Sequence, residues 1–226
     1  LEIRQTTNAF NQMRTRIKRF LKQRTDMLAG VSHDLRTPLT RMKLQLSLMT
    51  DIPEKKELEN DINEMTAMLN SYVSFVKGEI PESIESINLN SLIKNICNSN
   101  NLDNNLIAYK FEKNIVTSGR PLQIKRAIQN IINNSKRYAT KINIQINGTQ
   151  EECFLTIEDN GPGIPSKNYE DVFKPFFTLD PSRNKLKGES GLGMTIARDI
   201  IRAHGGEIQL SESKMGGLKT VIDLPL

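Results

Sequence analysis

The sequence predicts an α+β protein in two parts: an N-terminal helical hairpin that pairs with a second copy into a four-helix bundle, and a C-terminal α/β sandwich. Three observations predict it. Residues 10–76 carry a single glycine and place their apolar side chains at helical spacing. Gly78 and Pro81 then break that pattern. Beyond them, helical stretches are interleaved with β-branched and alternating runs, in an order that is mixed rather than strictly βαβ.

In the helical part, Leu28, Val31, Leu35, Leu39, Met42, Leu46 and Met49 step by three or four, the seam of a helix packed against other helices. A polar break follows at Asp51-Ile52-Pro53-Glu54, where the proline can open a second helix. In that helix Leu58, Ile62, Met65, Leu69, Tyr72 and Val76 repeat the stripe. A single hairpin cannot bury two such stripes well, whereas two hairpins close a core, so a homodimer is expected. Upstream, Phe10, Met13, Ile17 and Phe20 continue the stripe, so the entering segment is expected to be helical too.

The string KGEIPESIESIN, residues 77–88, loses the periodicity and reads as a linker, assigned here to residues 78–88. In the part that follows, residues 89–98 and 121–138 read as helices, the second with Pro121 at its first position. Residues 141–146, 154–157 and 219–224 read as strands. A last helix over 193–204 ends at Gly205-Gly206 before a strand at 207–210.

Composition narrows the function classes. The net charge of +5 is scattered over several helices, which argues against direct nucleic-acid binding. Cys97 and Cys153 lie far apart in apolar contexts, without metal-ligand spacing, and read as buried thiols. No stretch approaches the roughly 18 apolar residues that span a bilayer. The sequence opens at Leu1, without an initiator methionine and inside a helical pattern. We therefore expect a soluble fragment of a longer chain, related to a membrane only through a missing N-terminal region.

His33 is the first chemical landmark. On an ideal helix it lies roughly 170° from the middle of the apolar seam, with Thr37 about 40° further round, so both are expected to face solvent. Asp34 follows directly, and Pro38 sits inside a strongly helical pattern at the cost of a backbone hydrogen bond. An imidazole is largely neutral and nucleophilic near pH 7, which suits phosphoryl capture. An adjacent carboxylate can hold one ring nitrogen, or take its proton as the other nitrogen bonds phosphorus.

The string GVSHDLRTPLTRM, residues 30–42, closely resembles the phosphoacceptor box of sensor histidine kinases, and is nearest to the EnvZ-type osmosensors. The preceding AFNQMRTRIK is similar to the end of the HAMP relay that joins membrane helices to this box. The resemblance implies that His33 is the phosphoacceptor, with Asp34 as general base. It also implies that Thr37, four residues on, positions water for dephosphorylating the partner.

Four elements of the second part suit a nucleotide. Asn130, Asn134 and Tyr138 fall close to one helix face, where Asn134 can offer a neutral oxygen to Mg²⁺ and Arg137 can meet phosphate oxygens. In EDNGPGI, residues 158–164, Asp159 can accept a hydrogen bond from an adenine amino group, while Gly161 and Gly163 permit a tight turn and close approach to the base. GESGLG, residues 188–193, leads into a helix whose N-terminus can face phosphates. Between these two, the aromatic run Phe173 to Phe177 precedes a polar, irregular stretch that reads as a lid. Taken singly, each has a bland reading: an asparagine-rich helix, a simple turn, a glycine cluster, a packed aromatic.

In that order and spacing they resemble the histidine kinase catalytic domain, so the resemblance covers residues 10–226. It implies the ATP-binding sandwich shared with gyrase, Hsp90 and MutL proteins. It further implies Mg²⁺ at Asn134, phosphates near Asn130, Lys136 and Arg137, adenine beside Tyr138 and read by Asp159, and a nucleotide site completed by Gly161, Gly163, Ile164, Phe176, Gly191, Leu192 and Gly193. One departure stands out. The family's second glycine box usually reads GxGLG, and here Glu189 takes its first position after Gly188, where an inward-pointing acid would repel phosphate.

The expected organisation is the end of a HAMP segment at 1–20, a dimerisation and phosphotransfer domain at 21–77, the linker at 78–88 and an ATP-binding domain at 89–226. The expected activity is autophosphorylation of His33 from Mg-ATP, then transfer to an aspartate of an OmpR-class response regulator, which the chain also dephosphorylates. The expected location is the cytoplasmic portion of a bacterial inner-membrane protein. The alternatives are a chain that mainly removes phosphate from its regulator, and a nucleotide-sensing scaffold that transfers nothing. A gyrase-like or Hsp90-like ATPase has no need of the helical hairpin bearing His33.

Overall fold

A computed structural model describes residues 2–49, 53–76, 82–99, 106–111, 114–149, 151–179 and 191–226, which fall into two compact units. The first is a hairpin of two helices, α1 (Glu2–Leu48) and α2 (Pro53–Val76). Leu39 and Leu46 of α1 meet Ile62 of α2, with Leu69 packed against them. Of the other described seam residues, Leu28 is half-buried and Val31, Leu35, Met42, Met49, Leu58 and Met65 are exposed. So are Phe10, Met13, Ile17 and Phe20 further up α1. Residues 51–52 of the interhelical break lie outside the described residues, as do the side chains of Tyr72 and Val76.

The second unit begins earlier than the sequence suggests. Residues 85–88, assigned above to the linker, form β1 (Glu85–Asn88), which pairs antiparallel with β3 (Val116–Gly119) and buries Ile87 opposite Thr117. Four polar-flanked residues carry no local strand signal; the partner strand some thirty positions away supplies the ladder. Gly78 and Pro81, on which the linker reading rests, lie outside the described residues.

The main sheet has five strands in the order β2 (Ile107–Phe111), β4 (Ile142–Gly148), β5 (Glu152–Asp159), β7 (Leu218–Pro225), β6 (Glu207–Glu212). The β2–β4 pair is parallel, and the others are antiparallel, with Ile144 opposite Ile157 and Leu155 opposite Ile222. Strands β4, β5 and β7 have the strict alternation of a sheet with one buried face, carried by Ile142, Ile144 and Ile146, by Cys153, Leu155 and Ile157, and by Leu218, Ile222 and Leu224. The strands β2 and β3 were not legible above, since both are short and β2 buries only its first residue.

Three helices complete this unit: α3 (Leu89–Ser99), α4 (Pro121–Tyr138) and α5 (Gly193–Ala203). Helix α4 buries Ile124, Ile128, Ile131 and Ser135, in steps of four, three and four, so a serine continues a stripe of isoleucines. Its first turn has no cap from Arg120. Instead the Glu82 carboxylate accepts the Leu122 and Gln123 N–H groups at 2.7 and 3.3 Å, an anion at a helix N-terminus. On α5, Arg198 donates to Glu170 and Glu207 and lies 4.3 Å over the Phe173 ring, tying the helix to the turn at Asp171–Phe173.

Both cysteines are buried in this unit, as expected, and burial raises both thiols, Cys153 to about 11. At pH 8 a thiol of that pKa is ionised to only about one part in a thousand. Native chain is therefore expected to be nearly inert to a thiol-specific disulfide reagent, and to release two thiols once unfolded in guanidinium. Rapid native labelling of Cys153 would contradict its burial.

Candidate active site

His33 sits on the outer face of α1, its side chain 80% exposed. Its Nδ1 lies 3.3 Å from Oδ1 of Asp34, the neighbour proposed to manage its proton, and Thr37 is exposed one turn on. Pro38 stands inside α1 just beyond, as its position implied. The chain's other histidine is differently placed. His204 caps the end of α5 with Nδ1 on the Ile200 carbonyl at 2.7 Å, while its Nε2 accepts the Arg120 N–H at 3.1 Å. Both its ring nitrogens are engaged within the fold, so it is a structural residue.

In the second unit the residues expected to hold a nucleotide gather where the C-terminal half of α4, the end of β5 and the start of α5 converge. The alternation that buries Cys153, Leu155 and Ile157 runs on one more step, so Asp159 points into the core face and is 4% exposed. A buried carboxylate needs partners. Oδ1 accepts the Gly161 N–H at 3.0 Å and the Leu218 N–H at 3.1 Å, and Oδ2 accepts the Ser135 hydroxyl at 2.8 Å. Asn160 fastens the following turn, its Oδ1 accepting the Thr140 and Lys141 N–H groups at 2.9 and 2.8 Å.

The glycines here are sterically required. A Cβ on Gly161 would come within 3.1 Å of the Tyr138 carbonyl oxygen, which closes the turn against the end of α4, and Gly163 has φ +69°. Gly217, which the sequence reading passed over, abuts the Asp159 carboxylate: a Cβ there would strike Oδ1 and lie 2.5 Å from the Gly161 nitrogen. Gly217→Ala is accordingly expected to displace the start of β7, to lower stability by about 1–3 kcal/mol, and to weaken nucleotide binding at least tenfold. Unchanged melting and binding would show that the turn has slack.

At the start of α5, Asn130 faces the helix's first residue, with its side chain 3.9 Å from the position a Gly193 Cβ would take. The Asn130 Nδ2 is buried with no hydrogen-bond partner among the described residues, and so is the Thr195 hydroxyl in the first turn of α5. Helix α5 has no side-chain cap, so donors there await an acceptor. Asn134, Lys136 and Arg137 are half-buried on the last turns of α4, and Tyr138 is exposed. Burial lowers the Arg137 pKa while Tyr138 opposes it; the guanidinium stays charged at neutral pH.

Phe176 and Gly191 meet on either side of the stretch read above as a lid. The Phe176 N–H donates to the Gly191 carbonyl at 3.1 Å, and both residues have left-handed backbone, φ 64° and 61°. A Cβ on Gly191 would be 2.9 Å from the Phe176 backbone. Phe176 is exposed and Ile164 half-buried, whereas Leu192 is fully buried, so its side chain serves the core and only its backbone can face a ligand. Residues 180–190, which include Gly188, Glu189 and Ser190, lie outside the described residues.

Ser135 was missed in the sequence. It stands between Asn134 and Lys136, and a polar residue in register with Ile124, Ile128 and Ile131 was the available signal.

Residues 23–78 match the family described as His Kinase A (phospho-acceptor) domain, and residues 119–226 match the histidine kinase-, DNA gyrase B- and HSP90-like ATPase family. The sensor histidine kinase GtrS of Pseudomonas aeruginosa is 33% identical over 99% of this chain and 46% of its own length. The sensor histidine kinase CpxA of Escherichia coli is 29% identical over 96% of this chain and 50% of its own. The chain thus spans about half the length of these relatives. Among solved structures, full-length ShkA in complex with AMPPNP superposes with a TM-score of 0.66 at 16% identity, over 88% of this chain and 45% of ShkA. The Acinetobacter baumannii histidine kinase AdeS does so at 0.56 and 22% identity, over 86% of this chain and 96% of AdeS. A phosphoacceptor domain followed by an ATPase domain, with similarity to sensor kinases along nearly the whole of this chain, shows that it belongs to the sensor histidine kinases of two-component systems.

Proposed function

We propose that the second unit binds Mg-ATP and that Nε2 of His33 attacks the γ-phosphorus in line, releasing ADP. The contrast between the two histidines carries the reading. His204 has both ring nitrogens engaged, whereas His33 is open to solvent and, among the described residues, its Nδ1 alone has a neighbour, the Asp34 carboxylate. With its proton on Nδ1, donated toward Asp34, the imidazole holds its lone pair on Nε2. As the N–P bond forms and the bond to the ADP oxygen breaks, Asp34 takes the Nδ1 proton and leaves a neutral phosphorylated ring.

The donor set suits a magnesium nucleotide. Among the described residues no cluster of three acidic, histidine or cysteine side chains could cage a metal. A single asparagine oxygen, from Asn134, fits an ion that takes most of its ligands from phosphates and water, and which spreads the charge of the transferring group. Asn130, Lys136, Arg137 and the α5 N-terminus hold the phosphates, Tyr138, Ile164 and Phe176 flank the nucleoside, and Asp159 reads the adenine amino group.

The phosphoryl group then passes to an aspartate on the receiver domain of an OmpR-class regulator. Thr37 supports dephosphorylation of the regulator by positioning the water that hydrolyses its phosphoaspartate to aspartate and inorganic phosphate. Two copies pair through the exposed stripe of α1 and α2, whose apolar side chains a lone hairpin leaves in water. Residues 1–20 continue from a HAMP relay, and the chain is the cytoplasmic portion of an inner-membrane sensor; no helix among the described residues is long and apolar enough to cross a membrane. Incubation with γ-labelled ATP and Mg²⁺ tests the proposal. The label should be acid-labile and base-stable, with the stoichiometry of one site per chain; acid-stable label, or none, would refute it.

A further inference from the structure

Ser135 is buried in the α4 stripe and donates its hydroxyl to Oδ2 of Asp159 at 2.8 Å. A carboxylate offers about four acceptor positions. Two on Oδ1 are taken by the Gly161 and Leu218 amides, and one on Oδ2 by Ser135, so among the described residues a single position remains, on Oδ2. Without the hydroxyl, the carboxylate would be held through one oxygen and could pivot about it.

We infer that Ser135 is a specificity-determining positioning residue: its hydroxyl fixes the Asp159 carboxylate so that the one free Oδ2 position meets the exocyclic amino group of the bound purine. The inference rests on Asp159 reading the base, as proposed above. The pair presents a charged acceptor and a hydroxyl whose proton is already committed, so a purine bearing an N–H at position 6 gains a hydrogen bond. A purine with hydrogen there gains nothing, and one with a carbonyl meets acceptor against acceptor. Hydrogen bonds to charged groups are the stronger class, and most depend on alignment.

The test compares ATP with purine riboside triphosphate, which lacks the amino group, on the full chain in wild type, Ser135→Ala and Ser135→Thr. Wild type is expected to bind ATP at least tenfold more tightly than the analogue. In Ser135→Ala that preference should shrink to about threefold or less, with the analogue's affinity within twofold of wild type; Ser135→Thr, which keeps the hydroxyl, should retain the preference. Ser135→Cys, which replaces the hydroxyl by a much weaker donor of similar shape, serves if the alanine variant does not fold.

A preference in Ser135→Ala within twofold of wild type, or an equal weakening of both ligands, overturns the role of Ser135 while leaving the Asp159 reading intact. Absence of any preference in wild type overturns the Asp159 reading and the Ser135 role with it.

Discussion

His33→Gln is expected to reduce phosphoryl incorporation from γ-labelled ATP by more than about a thousandfold, the scale seen when a nucleophile is removed from a site otherwise intact. ATP affinity should stay within about twofold of wild type, and the melting temperature should not move, because the side chain is 80% exposed and its contact among the described residues is with the equally exposed Asp34. The three measurements together matter. Loss of label with nucleotide binding retained assigns the acceptor to the hairpin rather than to the second unit. Label persisting in His33→Gln at near wild-type level would move the acceptor elsewhere, and His204 would have to release the Arg120 N–H from its Nε2 to serve.

Asp159→Asn is expected to weaken ATP binding by about a hundredfold while leaving the fold in place. The reason lies in the count of donors. Turned with its oxygen toward Gly161 and Leu218, an asparagine accepts the same two amides and points its NH₂ at Ser135. The serine hydroxyl can rotate to accept instead of donate, so the buried network survives with its direction reversed. What is lost is the free acceptor on Oδ2, replaced by a donor that faces another donor on adenine. The expected signature is therefore a large rise in the ATP dissociation constant with a melting shift of no more than a few degrees. Inosine triphosphate, with a carbonyl at position 6, should gain on ATP in this variant. A variant that bound ATP normally would remove Asp159 from base recognition.

Much of this was legible in the sequence because it is local. The α1 and α2 seams, the helix from Pro121 to Tyr138 and the strands with alternating isoleucines each declare themselves within a window of ten to twenty residues. The burial of Asp159 was readable from the same alternation, since it stands in phase with Cys153, Leu155 and Ile157. Its partners were not. Ser135 lies 24 positions away and the Leu218 amide 59, and neither spacing has meaning until α4, β5 and β7 pack together.

The same holds for the start of the second unit. Residues 85–88 look like linker because a four-residue strand cannot announce a partner that follows much later, and Glu82 looks like a solvated acid until α4 is seen to begin beside it. Gly217 reads as an ordinary turn glycine; only the closeness of Asp159 and Gly161 makes a side chain there impossible.

By itself, then, the order of residues determined the helical hairpin, the α/β unit, an exposed histidine beside a carboxylate, and a set of glycine turns fit for a nucleotide, all features set by backbone periodicity and nearest-neighbour chemistry. Tertiary structure alone decided which histidine keeps a free nitrogen, which hydroxyl holds the buried carboxylate, and where the second unit begins. Those depend on hydrogen bonds between residues far apart in the chain, and a buried polar group finds its partner only when packing has removed the water that would otherwise satisfy it.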